Sequence, residues 1–260
     1  MPAGFFLRGT FSPEVVYPKL SYICPMQTGK IYLIPTPIGE TGVYEVMPQE
    51  NRKIIQSLDY FVVENLRSAR RFLSKAGIGK PIDSLHFEEL NEHTPAQEVE
   101  KFLERVLQGD DAGIISEAGV PAVADPGADL VALAHRKNIE IIPLVGPSSI
   151  LLAVMGSGLN GQSFAFNGYL PVKQPERSKM IRFYESRALK ENQSQFFIEA
   201  PYRNTKLFED LVANLGGETR LAIAVNVLQP DQLIRTKRIT DWKKEKPDIN
   251  KRPAIFGIGR

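Results

Sequence analysis

A chain of 260 residues can bury one large core or two of ordinary size. Its 43% hydrophobic and 24% charged residues match the globular average, which excludes a disordered, collagenous or coiled-coil chain; a net charge of +2 marks no general polyanion binder, though a local basic patch stays compatible with it. The single cysteine, Cys24, cannot close an internal disulfide, no apolar run reaches bilayer length and no secretion signal opens the chain, so the expectation is a cytoplasmic globular protein.

In chain order, residues 1–28 come first. They carry Pro2, Pro13, Pro18 and Pro25 without sustained periodicity and read as an N-terminal extension, with Met26 as an alternative start. From Lys30 onward short apolar runs alternate with helical patterns. Strands are expected over 31–35, 60–64, 112–116 and 139–143, with a weaker one near 81–85. The clearest helix carries Val99, Phe102, Leu103, Val106 and Leu107 as one apolar stripe. Thr94, Pro95 and Gln97 predict its cap, first position and capping-box partner, and Gly109 its stop. Strands alternating with helices imply a mostly parallel sheet, so residues 29–144 are expected to form an N-terminal α/β domain.

A hinge-like Pro143-Leu144-Val145-Gly146-Pro147 follows, and the pattern then changes. Strands over 163–168 and 195–199 flank a polar helix at 175–191, and strands over 220–228, 232–239 and 253–258 follow with little helix between them. The short Gln229-Pro230-Asp231 turn predicts antiparallel pairing, so residues 145–260 are expected to form a second α/β domain with a mixed sheet. Trp242 and the 243–246 lysine run read as a surface helix.

The unusual sequence lies at the carboxyl ends of the first-half strands, where open parallel sheets bind ligands. Strand one ends in Pro35-Thr36-Pro37-Ile38-Gly39. Strand four ends in Ser116-Glu117-Ala118-Gly119-Val120-Pro121 and runs on to Asp125-Pro126-Gly127, and strand five leads to Gly146-Pro147-Ser148-Ser149. One such loop is ordinary punctuation; three at one sheet edge point to a site. The glycine pattern of a dinucleotide site is absent, as is a Walker loop. His86, His93 and His135 are too scattered for a metal, and Ser116 sits in no nucleophile elbow.

These loops, together with Phe164-Ala165-Phe166-Asn167-Gly168-Tyr169-Leu170-Pro171 and Phe197-Ile198-Glu199-Ala200-Pro201-Tyr202-Arg203, resemble the tetrapyrrole methylase superfamily over about residues 30–226. They are most similar to its branch that methylates a ribose 2′-hydroxyl of bacterial small-subunit ribosomal RNA. The resemblance implies a two-domain α/β fold, S-adenosylmethionine in the cleft between the domains, ribosomal RNA or the small ribosomal subunit as partner, and a homodimer. Carried over residue by residue, it implies that Pro37 and Gly39, with Glu117, Ala118, Gly119 and Val120, line the cofactor. Ser148 and Ser149 would meet its amino-acid end, and Tyr169, Leu170, Ala200 and Pro201 would close from the second domain.

Glu117 and Glu64 are the candidate catalytic carboxylates, with a helix-start or salt-bridge role the even alternative for Glu64. Arg67, Arg70, Arg71 and Lys75 share a helical face by spacing, which reads equally as a solvated face or as a phosphate contact. Arg203 is a further acceptor contact, whereas Lys173, Arg177 and Lys179 read as a solvated helix. The family's Ser-Asp-Ala-Gly becomes Ser116-Glu117-Ala118-Gly119, its Glu-Asp-Thr-Arg becomes Glu64-Asn65-Leu66-Arg67, and its His-Glu-His-Asn-Glu becomes Glu88-Glu89-Leu90-Asn91-Glu92. Its Arg-Glu-Leu-Thr-Lys is replaced by Asn226-Val227-Leu228-Gln229-Pro230, and the small helical domain that often follows has no counterpart before Arg260. Besides an RNA ribose methylase, the sequence thus leaves open a small-molecule methylase of tetrapyrrole type and a binding protein without turnover.

Overall fold

The structure, a computed structural model, describes residues 28–91 and 94–260. Most of the extension expected over 1–28, with Cys24, and also Glu92 and His93, lie outside the described residues. The first sheet contains β1 (Lys30–Ile34), β2 (Tyr60–Val63), β3 (His86–Glu89), β4 (Ala112–Ile115) and β5 (Glu140–Pro143). All pair in parallel, in the order β3-β2-β4-β1-β5. Helices α1 (Val43–Val46), α2 (Asn51–Ser57) and α3 (Leu66–Ala76) lie between β1 and β3. The chain then passes through α4 (Ala96–Val99), a 3-10 stretch Glu100–Leu103 and α5 (Glu104–Leu107) to β4, and through α6 (Gly127–Arg136) to β5. Strand side chains alternate between two cores. Ile34, Phe61 and Val63 join Phe72 and Leu73 of α3 on one face, while Ile31, Tyr60 and Val62 join Phe102, Leu103, Val106 and Leu130 on the other.

Two first-half expectations are corrected. Residues 81–85 are not a strand: Ile82–Ser84 form a 3-10 turn, Leu85 is buried behind it, and the strand starts at His86. This strand is an edge with mostly exposed side chains, so it carries no continuous apolar run. The stripe over 99–106 is buried as expected, but Thr94 caps nothing. Its Oγ1 accepts from Asn91 N at 3.0 Å, and Glu98 N is satisfied by Pro95 O at 2.8 Å instead.

The second sheet contains β6 (Phe164–Tyr169), β7 (Ser194–Ile198), β8 (Arg220–Val225), β9 (Leu233–Arg238) and β10 (Ala254–Gly259), in the order β6-β7-β10-β8-β9. β6 and β7 are parallel and the other pairs antiparallel, including β8 with β9 across the Gln229-Pro230-Asp231 turn. α7 (Ser149–Ser157) covers one face, where Ala153 meets Phe196, Ala222 and Ile255. α8 (Glu176–Lys190) and α9 (Asn204–Asn214) cover the other through Ile181, Leu207 and Leu211. The strand expected over 220–228 stops at Val225, because Asn226 and Leu228 turn to positive φ, 44° and 68°. Trp242 is not on a surface helix. It ends α10 (Ile239–Trp242) only 1% exposed, donates its indole N–H to Leu221 O at 2.8 Å and packs edge-on against Phe208. The lysines that follow are exposed, and they had disguised the core anchor before them.

Candidate active site

The three loops at the carboxyl edge of the first sheet are tied to one another. Thr36 N donates to Gly119 O at 2.8 Å and Gly119 N returns a bond to Thr36 O at 3.2 Å, a one-residue antiparallel bridge between the β1 and β4 loops. The β5 loop closes on both. Pro147 O lies 3.5 Å from where a Cβ on Gly119 would sit, and the bare Cα of Gly146 packs so tightly on Pro35 that a Cβ there would collide with its ring. Asn51 Nδ2 fixes this loop from α2 by donating to Val145 O at 2.9 Å. The prolines and glycines that read as possible punctuation are therefore close-approach residues.

Glu64 extends from the end of β2 beneath this junction, and its Oε2 accepts from Glu117 N at 3.0 Å. Burial pushes the Glu64 carboxyl above the ordinary glutamate range; the Glu117 N–H opposes the shift, while the charges of Asp125 and Glu117 add to it. Asp125 is also pushed up by burial, against the N–H groups of Ala122 and Gly127, both of which donate to its Oδ1 at 2.8 Å. That carboxylate braces a loop in which Ala122 and Ala124 hold φ of 63° and 59°, a conformation L side chains rarely adopt. Asn65 is the N-cap of α3, its Oδ1 accepting from Ser68 N at 3.0 Å. Asparagine fills this capping position as an aspartate would. Ser68 Oγ lies 3.2 Å from Glu117 Oε1, so the start of α3 is linked to the β4 loop.

A cleft of about 250 Å³ opens beside this cluster, lined by Pro37, Gly39, Thr41, Ser68, Arg71, Lys75 and Glu117 among others. Two hydroxyls on its wall, Thr41 Oγ1 and Ser116 Oγ, are buried without a hydrogen-bond partner. Leaving such a group unmade costs more than a made bond gains, so these atoms suit a polar ligand. The arginines expected on one helical face divide between two. Arg71 and Lys75 border the cleft, whereas Arg67 and Arg70 border a neighbouring open groove with Asn65 and Glu89, and Arg70 is paired there with Asp83.

The second-half residues gather at the ends of β6 and β7. Leu170 is buried, Tyr169 and Tyr202 are largely exposed, and Ala200 and Pro201 start the turn between β7 and α9. None of them lines the 250 Å³ cleft, nor do Ser148 and Ser149. Ser148 serves instead as the N-cap of α7, its Oγ accepting from Leu151 N at 3.4 Å. Arg203 is held by Glu199, its Nε donating to Oε1 at 2.9 Å, and its Nη1 donates to Tyr202 Oη at 3.0 Å.

Arg177, read as part of a solvated helix, is the opposite. It is 1% exposed and donates to Pro171 O at 2.6 Å, Asp210 Oδ2 at 3.1 Å and Glu199 Oε2 at 3.2 Å. Glu199 Oε1 in turn accepts from Ala200 N at 2.8 Å, so one buried ion cluster ties the 169–171 loop to the 200–203 loop. Sequence reasoning passed over Ser68 and had Asp125 and Gln229 only as members of a loop and a turn. The spacing of Ser68 three residues past Asn65 was the available signal for the first; Gln229 acts across the fold and had none.

The family profile described as Tetrapyrrole (Corrin/Porphyrin) Methylases matches residues 30–242. The protein named Ribosomal RNA small subunit methyltransferase I from Xylella fastidiosa is 32% identical over 202 residues, covering 77% of this chain and 68% of that one. Its namesake from Vibrio cholerae is 30% identical over 195 residues, covering 75% of this chain; the chain spans 63% of the Vibrio protein's length. Among solved structures, the methyltransferase CobJ is similar at a TM-score of 0.61 and 16% identity, over 90% of this chain and 95% of that one. The uroporphyrin-III C-methyl transferase of Thermus thermophilus complexed with S-adenyl homocysteine is similar at 0.52 and 15%, over 89% and 98%.

Proposed function

This chain belongs to the tetrapyrrole methylase family, and we propose that it transfers a methyl group from S-adenosylmethionine to a ribose 2′-hydroxyl of small-subunit ribosomal RNA. The observation that carries the reading is the junction of the β1, β4 and β5 loops over a half-buried carboxylate, beside a cleft with two unpartnered hydroxyls. Relatives about a third identical in sequence bear names of ribosomal RNA methyltransferases, which supports the RNA acceptor. The cations Arg71 and Lys75 on the cleft and Arg67 beside it suit an acceptor that carries negative charge, as RNA phosphates do.

The residues present fit the donor. Thr41 and Ser116 offer hydroxyls, Glu117 a carboxylate, and the Pro37–Gly39 backbone a close wall, which together match a ligand rich in hydroxyl, amino and carboxylate groups. When bound, S-adenosylmethionine supplies an electrophilic methyl group. The chain's own work is to hold the acceptor oxygen in line and to take its proton. In this reading Glu64 accepts that proton: it borders a small cavity with Ser116 and Asp125 behind the cleft wall, the Glu117 N–H holds its carboxylate, and burial makes it a stronger base than a free glutamate. Ser148, Ser149, Tyr169, Leu170, Ala200 and Pro201 belong to the same reading as further donor contacts and Arg203 as an acceptor contact, across the 144–145 boundary between the proposed domains 29–144 and 145–260.

Labelled S-adenosylmethionine mixed with small ribosomal subunits lacking their native methylation should put label into RNA, on a 2′-oxygen by nuclease mapping. Label on a tetrapyrrole acceptor instead, or donor binding without any transfer, would overturn the RNA reading. A cytoplasmic location follows from that substrate, and no helix among the described residues is long and apolar enough to cross a membrane. The homodimer forms part of the proposal and is supported by Leu151 and Met155, one turn apart on α7 and 53% and 77% exposed. Light scattering should give twice the chain mass and Met155→Lys should give the monomer; a monomeric wild type sinks this part.

A further inference from the structure

One contact joins the turn after β8 to the donor loop, some 190 residues away in sequence. The Gln229 amide donates from Nε2 to Ile38 O at 2.8 Å and accepts at Oε1 from Glu40 N at 3.1 Å. Both ends of one side chain thus grip the backbone on either side of Gly39, in the manner of a strand partner. Gly39 itself sits at φ +78°, and a Cβ there would strike the Gln229 amide. The glycine therefore serves two needs, the left-handed backbone and the room for the clamp.

The turn that presents Gln229 is built to hold it still. Gln229 N donates to Asn226 O at 2.9 Å, and Gln232 N donates to Gln229 O at 2.9 Å. Leu228 N is satisfied by Gln232 Oε1 at 2.8 Å, and Asn226 Nδ2 by Asp231 Oδ2 at 2.8 Å. Arg252 from the β10 side donates to Asp231 O and Oδ2. With Asn226 at φ 44° and Leu228 at φ 68°, the turn holds left-handed backbone that this network supports. Its product is one amide placed over residues 38–40, the loop that contributes Gly39 and Glu40 to the cleft wall.

We propose that Gln229 is a positioning residue for the donor site, a latch from the second sheet that sets the shape of the 37–40 loop and thereby the affinity for S-adenosylmethionine. The inference rests on the donor reading above and extends it to a residue in a segment that departs from the family pattern. Gln229 touches no reacting atom in this account; it acts only through the Ile38 carbonyl and the Glu40 amide.

The test uses the full chain and three variants. Gln229→Ala removes both bonds, and Gln229→Glu keeps the size and the acceptor but loses the donor to Ile38 O. Gln229→Ala should raise the Kd for S-adenosylmethionine by about tenfold, as the loss of two modest hydrogen bonds would, and Gln229→Glu, which loses one, by about threefold. The KM for donor should rise in step, while kcat at saturating donor, the KM for RNA and the melting temperature stay at wild-type values. Gly39→Ala should weaken donor binding more in the wild-type chain than on the Gln229→Ala background, since the clash with the amide is then gone. Calorimetry gives the Kd values. If the wild type binds no donor, the donor reading and the latch fall together. If the wild type binds and both Gln229 variants match it, the latch alone falls; a loss of kcat with unchanged donor affinity overturns it equally.

Discussion

Replacing Arg177 with methionine is expected to lower folding stability by about 3 kcal/mol, toward the lower end of the cost of breaking a buried ion pair. Methionine fills much of the same space, so the loss comes from charge and hydrogen bonding rather than from a cavity. Arg177 satisfies Glu199, Asp210 and the Pro171 carbonyl at once, and both acids are buried. The cost falls short of the extreme because Glu199 keeps Arg203 and Asp210 keeps Lys206. Urea unfolding should report the loss, with a melting point lower by on the order of 10 °C. Adding Glu199→Gln and Asp210→Asn should recover most of the stability, since no buried carboxylate is then left unpaired and the freed Arg203 and Lys206 reach solvent. The Pro171 carbonyl still lacks its donor in that triple variant. If the cluster serves to align the 169–171 and 200–203 loops, methyl transfer stays depressed after stability returns. A methionine variant within about 0.5 kcal/mol of wild type would remove the cluster from any account of the fold.

What the sequence could and could not disclose follows from the range of each interaction. The parallel first sheet was legible because Tyr60–Val63 and Ala112–Ile115, buried on both faces, read as continuous apolar runs. β3 was misplaced because an edge strand needs no such run. The convergence of the 35–39, 116–121 and 146–149 loops could be anticipated from their small residues and prolines at strand ends, a local signal. The roles of Arg177, Trp242 and Gln229 could not, because each is decided by partners distant in sequence. A polar residue in a polar helix, or a tryptophan before a lysine run, looks solvated until Asp210, Glu199 or the Leu221 carbonyl is brought to it. The arginines that share a helical face by spacing divide in space: Arg67 and Arg70 border one groove, where Arg70 pairs with Asp83, while Arg71 borders the cleft.

Glu64→Gln gives the largest expected effect on chemistry. As the proposed proton acceptor for the ribose hydroxyl, Glu64 should carry about 10²–10⁴-fold of the rate, and its amide should lower kcat by that factor. Donor affinity should be unchanged, because the introduced amide still offers an oxygen to the Glu117 N–H and the cleft walls are intact. The sign of the pH dependence is fixed by the cause of the shift. Burial raises the carboxyl, so the wild-type rate should fall on the acid side at a higher pH than an ordinary glutamate would give, and the variant should lack that limb. The same shift predicts an opposite change in stability. A carboxyl whose folded pKa exceeds its unfolded value favours folding most below the unfolded value, and that contribution is lost as pH rises through the folded one. At neutral pH the wild type holds a buried charge that the variant does not, so Glu64→Gln should melt at a higher temperature there, with the difference closing as pH falls below the ordinary glutamate range. Slower transfer together with higher stability is the pattern of a residue kept for chemistry at the expense of the fold. A variant that loses stability and activity together would make Glu64 a structural link to the Glu117 backbone, and the search for the base would move to Glu117, whose carboxylate already faces the cleft beside Ser68.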